Sequence, residues 1–268
     1  MQTTTVTLKD SIVASLVRAV NDAAPENRPF GHFYMQNCFS HEVYAGILKN
    51  SSESLTNSEI KHPDALTSSG ASTRKFFELT PKNLETMESL QREFWNAMAD
   101  AFYSTELRNA IFSKLSRDLC KRLSLAEADL ANLKVYPRAG IFYDHPGYKI
   151  RPHPDNAVRF VTVQFYLPPD DSQQNFGTSL YRIRKLRSYW NRLWRIPEDG
   201  GVYREVKRFK FVPNSGYAFA VSKKSYHGRP VIEGQTALRK TLMLVYYDRP
   251  GVGYDSVSAN GDAARAEY

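Results

Sequence analysis

Cysteine is nearly absent from this chain: Cys38 and Cys120 are the only two in 268 residues. Two thiols exclude a disulfide framework and a Cys-rich zinc module. Long hydrophobic runs are missing as well, and none approaches the roughly 20 residues that a membrane-spanning helix needs. The first residues lack the basic-then-apolar pattern of a secretory leader, so a soluble, cytoplasmic protein with no membrane partner is the expectation. No internal repeat is visible. Acidic residues are outnumbered, 28 Asp and Glu against 36 Lys and Arg, for a net charge of +8. With 42% hydrophobic and 24% charged residues the chain is not a disordered one, and it is long enough to bury a sizeable core.

What is abundant is aromatic: 13% of the residues, including 16 Tyr and 15 Phe, which favours a sheet-rich body. Residues 1–130 nevertheless read as a helical support region. Ile12, Leu16 and Val20 recur at spacing four behind a candidate cap at Asp10, and Ser40 precedes a run with Val43, Ile47 and Leu48. Residues 51–72, rich in Ser, Thr and Asn, read as a surface loop. Thr80-Pro81 has the form of an N-cap with proline at the first helical position. Leu84, Met87, Leu90, Phe94, Trp95 and Met98 then form one apolar stripe, and Leu107, Ile111, Leu115 and Leu119 another. Ser124 with Glu127 suggests a capping box.

After residue 131 the texture changes to short β-branched and aromatic runs: Leu133–Tyr136, Phe160–Leu167, Thr178–Tyr181, Tyr217–Val221 and Lys240–Tyr247. Turn signals at Pro137–Gly140, His145–Gly147, Pro168–Asp171 and Pro213–Gly216 separate them. That rhythm predicts an antiparallel sandwich or barrel, not βαβ units. The expectation is a single domain over 1–250, mainly β with N-terminal helices, and a flexible tail at 251–268.

Six histidines occur, and only His153 has a carboxylate two residues on in a strand-like context, in His153-Pro154-Asp155. Residues i and i+2 of an extended segment point the same way, so the two side chains can converge. His227 follows Asp155 by 72 residues, just after a predicted strand. Two imidazoles and a carboxylate on one face are the ligand set of non-haem Fe(II) oxygenases, and they also suit zinc. A His-x-Asp pair alone is weak evidence and more often marks a turn than a metal site. Arg239 opens the apolar run Lys240–Tyr247; burying it demands an anionic partner, and its planar fork suits a carboxylate.

Tyr136-Pro137, Gly147-Tyr148, His153-Pro154-Asp155-Asn156, Arg159-x-x-Thr162, Tyr166-Leu167, Gly177-x-x-Leu180, His227, Arg239 and Tyr246-Tyr247-Asp248 together resemble the 2-oxoglutarate/Fe(II)-dependent dioxygenase superfamily, in its prolyl-hydroxylase-like branch. The resemblance spans about residues 131–250. It implies a double-stranded β-helix (jelly-roll) core flanked by helices, Fe(II) held by His153, Asp155 and His227, and 2-oxoglutarate and O2 as cosubstrates. It further implies that Arg239 and Tyr166 meet the distal carboxylate of 2-oxoglutarate, that Tyr136 lines the same pocket, and that Leu180 forms an apolar wall. Where the hypoxia-sensing prolyl hydroxylases place a threonine four residues after the arginine, this chain has Met243; Thr241 offers a nearer hydroxyl of the same strand parity. The activity implied is hydroxylation of an unactivated C–H bond coupled to conversion of 2-oxoglutarate to succinate. Asp155 argues against halogenation, which in this superfamily goes with a small residue there.

The substrate is read from charge. Residues 181–211 hold ten basic residues against three acidic ones, with Tyr189, Trp190 and Trp194 interleaved. A basic insertion with aromatic rings suits an anionic or aromatic group, and Arg159 and Arg151 are further candidates for the substrate site. A small anionic or carrier-linked metabolite is the expected partner. Peptidyl-prolyl or other protein hydroxylation is the alternative. A nucleic-acid substrate is disfavoured, because Val245 stands where the demethylases of the superfamily carry a second arginine. A non-catalytic binding module and a zinc hydrolase complete the alternatives; no glutamate near the histidines reads as a hydrolytic base.

Overall fold

The structure is a computed structural model that describes residues 6–55, 58–184, 188 and 201–251. The expected flexible tail beyond residue 251, and Tyr189, Trp190 and Trp194 of the basic insertion, lie outside the described residues. Six α-helices are present among the described residues: α1 (Leu8–Asp22), α2 (His41–Asn50), α3 (Pro81–Leu84), α4 (Ser89–Phe102), α5 (Thr105–Lys114) and α6 (Ser116–Leu123). The strands are β1 (Pro25–Glu26), β2 (His32–Gln36), β3 (Ser58–Glu59), β4 (Arg74–Glu78), β5 (Tyr136–Asp144), β6 (Ile150–His153), β7 (Arg159–Tyr166), β8 (Ser179–Ile183), β9 (Tyr203–Arg208), β10 (Ser215–Ala220), β11 (His227–Arg229) and β12 (Arg239–Tyr247). None of the described helices is long and apolar enough to cross a membrane.

All strand pairs are antiparallel and form two sheets: a large one in the order β1-β2-β10-β7-β12-β5-β4-β3 and a small one in the order β6-β11-β8-β9. Alternation along each strand of the large sheet decides its two faces. Ile141 and Tyr143 of β5, Val161, Val163 and Phe165 of β7, and Leu242, Leu244 and Tyr246 of β12 turn outward and join the apolar faces of α1, α2, α4 and α5 in the main core. The other parity, including Thr162, Gln164 and Tyr166 of β7 and Arg239 and Thr241 of β12, faces the small sheet. Tyr166, Tyr217 and Phe219 there meet Leu180, Phe209 and Phe211. The helices therefore serve as a hydrophobic backing, and the polar inner face is left for chemistry.

Local chemistry explains where the helices begin. Thr7, not Asp10, caps α1: the Thr7 hydroxyl accepts from the Asp10 N–H at 3.2 Å and donates to the Asp10 carboxylate at 2.7 Å, a reciprocal pairing that places Asp10 inside the first turn. Ser40 caps α2 and Thr80 caps α3, with Pro81 at its start. The stripe running from Leu84 is broken, however, into the single turn α3 and the separate α4, and Leu90 is 83% exposed. Ser124 does not start a capping box; it ends α6 in the left-handed region at φ 54°.

Two further expectations fail for tertiary reasons. The half of the chain read as helical contributes β1 to β4, which extend both edges of the large sheet. And Pro137–Gly140, read as a turn, lies inside β5. The β4 ladder stops at the Glu78–Gly140 pair, so Pro137 lies where one side of β5 is unpaired, the placement a strand proline tolerates. Part of the basic insertion is also strand: β9 pairs with β8 as the edge of the small sheet.

Candidate metal centre and its arginine chamber

His227 opens β11 directly across the ladder from His153, the last residue of β6. Their ring centroids lie 4.6 Å apart. Asp155, in the loop after β6, brings Oδ1 to 3.9 Å from His227 Nε2. One donor atom from each of the three lies within 4.8 Å of the others. Both imidazoles are oriented by the same device. His153 Nδ1 is 2.8 Å from the Arg151 carbonyl and His227 Nδ1 is 3.0 Å from the Ser225 carbonyl. Donation from Nδ1 leaves Nε2 as the free lone pair of each ring, the second-sphere arrangement that metal-ligating histidines use.

The carboxylate is held as firmly. Thr162 donates to Asp155 Oδ2 at 2.6 Å, and Arg159 Nη1 donates to Oδ1 at 2.8 Å. Burial by itself would raise the Asp155 carboxyl, but Arg159, the two imidazoles and Thr162 outweigh it and hold the group well below the usual carboxylate range. Burial pushes His153 down to about 4, with His227 adding to the effect. The resting state of the cluster is thus an anion beside a neutral His153, the protonation a divalent cation requires. The loop carrying Asp155 is strapped to α6 by Arg122, whose guanidinium donates to the carbonyls of Ala157, Arg159 (2.6 Å) and Val221 (2.8 Å). Gly228 lets β11 lie this close to β6: a Cβ there would come within 2.7 Å of the Ile150 carbonyl.

Arg239 is 2% exposed at the start of β12. Its Nη1 donates to Asp144 Oδ2 at 2.6 Å and its Nε to the Phe176 carbonyl at 2.8 Å. The rings of Phe211 and Tyr166 lie 4.8 and 5.4 Å from the guanidinium carbon. Asp144 is also in an ion pair with Arg74 Nε at 3.0 Å, and Arg74 donates to the Tyr148 hydroxyl. Arg229, two residues beyond His227 on β11, donates to the Tyr148 carbonyl at 2.9 Å. Tyr148 is flanked by both cations, its ring 4.8 Å from Arg74 and 5.4 Å from Arg229. Two arginines thus share one carboxylate, and a third, Arg229, is buried against the tyrosine that Arg74 also meets.

The remaining expected residues fall into place unevenly. Leu180 pairs with His227 across β8 and β11 and is fully buried. The Tyr166 hydroxyl accepts from the Thr178 N–H at 3.0 Å. The Thr241 hydroxyl accepts from Gln164 Nε2 at 3.2 Å, and Gln164 Oε1 accepts in turn from Tyr217 at 3.0 Å and Thr178 at 3.2 Å. Tyr136 does not accompany Arg239: it pairs with Tyr247, at the opposite end of the ladder from the Asp144–Arg239 pair, and packs with Phe76, Phe142 and Val245. Arg159 serves Asp155. Arg151 is half-exposed and its Nε is taken by Asp64 at 2.9 Å, so its guanidinium is directed to the loop after β3. Asp144, Arg74, Arg229 and Gln164 were not singled out by sequence. A signal existed only for Arg229, two residues beyond His227 on the strand, a spacing that by alternation suggests the same face although the ladder shifts register between the two.

No protein-family model matches the chain, and no curated protein matches it. Solved structures do. A protein from Shewanella oneidensis provisionally named an oxygenase shares the fold, with a TM-score of 0.50, 14% identity, and coverage of 95% of this chain and 94% of that one. A Pseudomonas putida prolyl-4-hydroxylase gives a TM-score of 0.47 at 13% identity over 89% of this chain and 100% of that one. HygX from Streptomyces hygroscopicus, determined with nickel and 2-oxoglutarate bound, gives 0.47 at 11% identity over 81% and 82%. At 14% identity the likeness to the Shewanella oneidensis protein is one of fold.

Proposed function

We propose that this protein is a 2-oxoglutarate- and O2-dependent Fe(II) oxygenase that hydroxylates an unactivated C–H bond of a small anionic ligand. The two facing sheets are read as its double-stranded β-helix. One observation carries the proposal: one donor atom from each of two imidazoles and one carboxylate converge within 4.8 Å of one another on the inner face that also carries Arg239. The donor set fits ferrous iron, since two neutral nitrogens and a hard anion on one face leave further positions open. His153, Asp155 and His227 would hold the metal, and the bound iron would supply the oxidation of 2-oxoglutarate and of the C–H bond.

The protein's own part is positioning. The Arg151 and Ser225 carbonyls fix the imidazole tautomers, and Thr162 and Arg159 fix the carboxylate. Arg239, whose Nε is spent on Phe176 and whose Nη1 is paired with Asp144, offers Nη2, held only by a 3.4 Å contact to Gln164 Oε1, to the distal carboxylate of the keto acid. Phe211, Tyr166 and Leu180 keep water from that carboxylate. The surplus of arginine on the inner face supports an anionic substrate. The direct test is succinate formation from 2-oxoglutarate with Fe(II), O2 and ascorbate, first without substrate and then across a panel of carboxylated and phosphorylated metabolites. Arg239→Ala should raise the 2-oxoglutarate concentration required while leaving iron affinity intact, and Asp155→Ala should abolish turnover. Absence of any turnover together with absence of iron binding would favour a binding module.

A further inference from the structure

The chamber around Asp144 holds more positive charge than one keto-acid anchor explains. Arg74 and Arg239 both reach the Asp144 carboxylate. Arg229 does not. It is 2% exposed, its Nη1 donates to the Tyr148 carbonyl at 2.9 Å and its Nη2 to Gln235 Oε1, and its Nε has no hydrogen-bond partner. Both acceptors are neutral, and among the described residues Arg229 forms no ion pair; the chamber's pairs join only Arg74 and Arg239 to Asp144. A buried guanidinium without a counter-ion is among the costliest groups a protein interior can hold. Methionine would fill the same space without that cost, so packing gives no reason for the charge.

Position gives one. Arg229 lies two residues beyond His227 on β11, and it shares the Tyr148 ring with Arg74, at 5.4 and 4.8 Å. Gln235 bridges the groups, accepting from Arg229 and donating to the Asp144 carbonyl at 3.4 Å. With one carboxylate among three guanidinium groups, the chamber lacks negative charge.

We propose that Arg229 is a ligand-binding residue that takes a carboxylate jointly with Arg239, making the chamber a two-guanidinium anion site. For the identity of the ligand this rests on the oxygenase reading: the carboxylate is the distal one of 2-oxoglutarate or one carried by the substrate. The test is calorimetric, on the full chain loaded with Ni(II) in place of iron, so that no turnover is needed. For Arg229→Met we expect the Kd for 2-oxoglutarate to rise at least tenfold, Ni(II) affinity to stay within twofold, and the unliganded thermal midpoint to hold or rise. If 2-oxoglutarate binds the variant normally, glutarate and benzoate titrated into the 2-oxoglutarate-saturated protein report the second source, and their loss in the variant alone assigns Arg229 to the substrate. Arg229→Gln is the companion variant should Arg229→Met fold poorly. Unchanged affinity for all three probes in the folded variants overturns the proposal. Wild-type protein that ignores 2-oxoglutarate yet binds glutarate through Arg229 would sink the cosubstrate assignment and keep the anion site, and wild-type protein that binds no carboxylate sinks both.

Discussion

The Thr162 hydroxyl donates a 2.6 Å hydrogen bond to Asp155 Oδ2, across seven residues of sequence and the turn between β6 and β7. Thr162 is 3% exposed, so the bond is dry, and it leaves Oδ1 for Arg159 and the shared centre. Thr162→Val keeps the shape and deletes the donor. An unsatisfied buried carboxylate oxygen costs on the order of 1–3 kcal/mol or more, and loss of an outer partner of a metal ligand typically lowers affinity by about 10–100-fold. Anaerobic Fe(II) titration of the variant should show a loss in that range, and an unchanged affinity would mean that Arg159 alone orients Asp155.

Gly228 is the second structural support. Because a Cβ would meet the Ile150 carbonyl at 2.7 Å and the Arg151 carbonyl at 3.0 Å, Gly228→Ala must push β11 away from β6 and separate His227 from His153. Overpacking of this kind typically costs about 1–3 kcal/mol. The thermal midpoint should fall and metal affinity should fall with it; a stable variant with full affinity would refute the tight-ladder account.

Acid should loosen the metal-free fold in a defined window. Burial holds folded His153 at about 4, against 6.5 for the free side chain. Between those values the unfolded chain takes up a proton that the folded chain refuses, so stability rises with pH there. The contribution is complete above about 6.5 and is lost progressively as the pH falls toward 4. His32, fully buried and likewise lowered by burial, adds a slope of the same sign. Denaturation midpoints of chelator-treated protein should fall through this range, and His153→Asn should flatten the slope; parallel curves would remove His153 as its source.

The helical backing should be thermodynamically essential and chemically silent. Trp95 of α4 is completely buried and its indole donates to the Asn50 carbonyl at 3.1 Å. Trp95→Phe removes the donor and part of the ring, and full truncation at such a site costs about 3–5 kcal/mol. Trp95→Phe is expected to lower the denaturant midpoint measurably while metal affinity at the distant inner face stays the same.

Local chemistry alone determined a good deal of this protein. The β-branched and aromatic runs located β7, β8, β10 and β12 to within a few residues, because alternation and turn residues act on near neighbours. Ser40 and Thr80 announced their helices for the same reason, and His153-x-Asp155 declared a convergent pair because i and i+2 share a strand face. Tertiary structure decided what depends on register between distant segments. It carried β5 straight through Pro137–Gly140, recruited β1 to β4 from the helical half, assigned Arg151 to Asp64 and Arg159 to Asp155, and moved Tyr136 to the far end of the ladder. It also set Asp144 opposite Arg239 and brought Arg74 to the same carboxylate. A guanidinium 70 or 95 residues from its partner leaves no local trace; only the pairing of β4, β5 and β12 brings them to bonding distance, and burial then turns that proximity into a strong interaction.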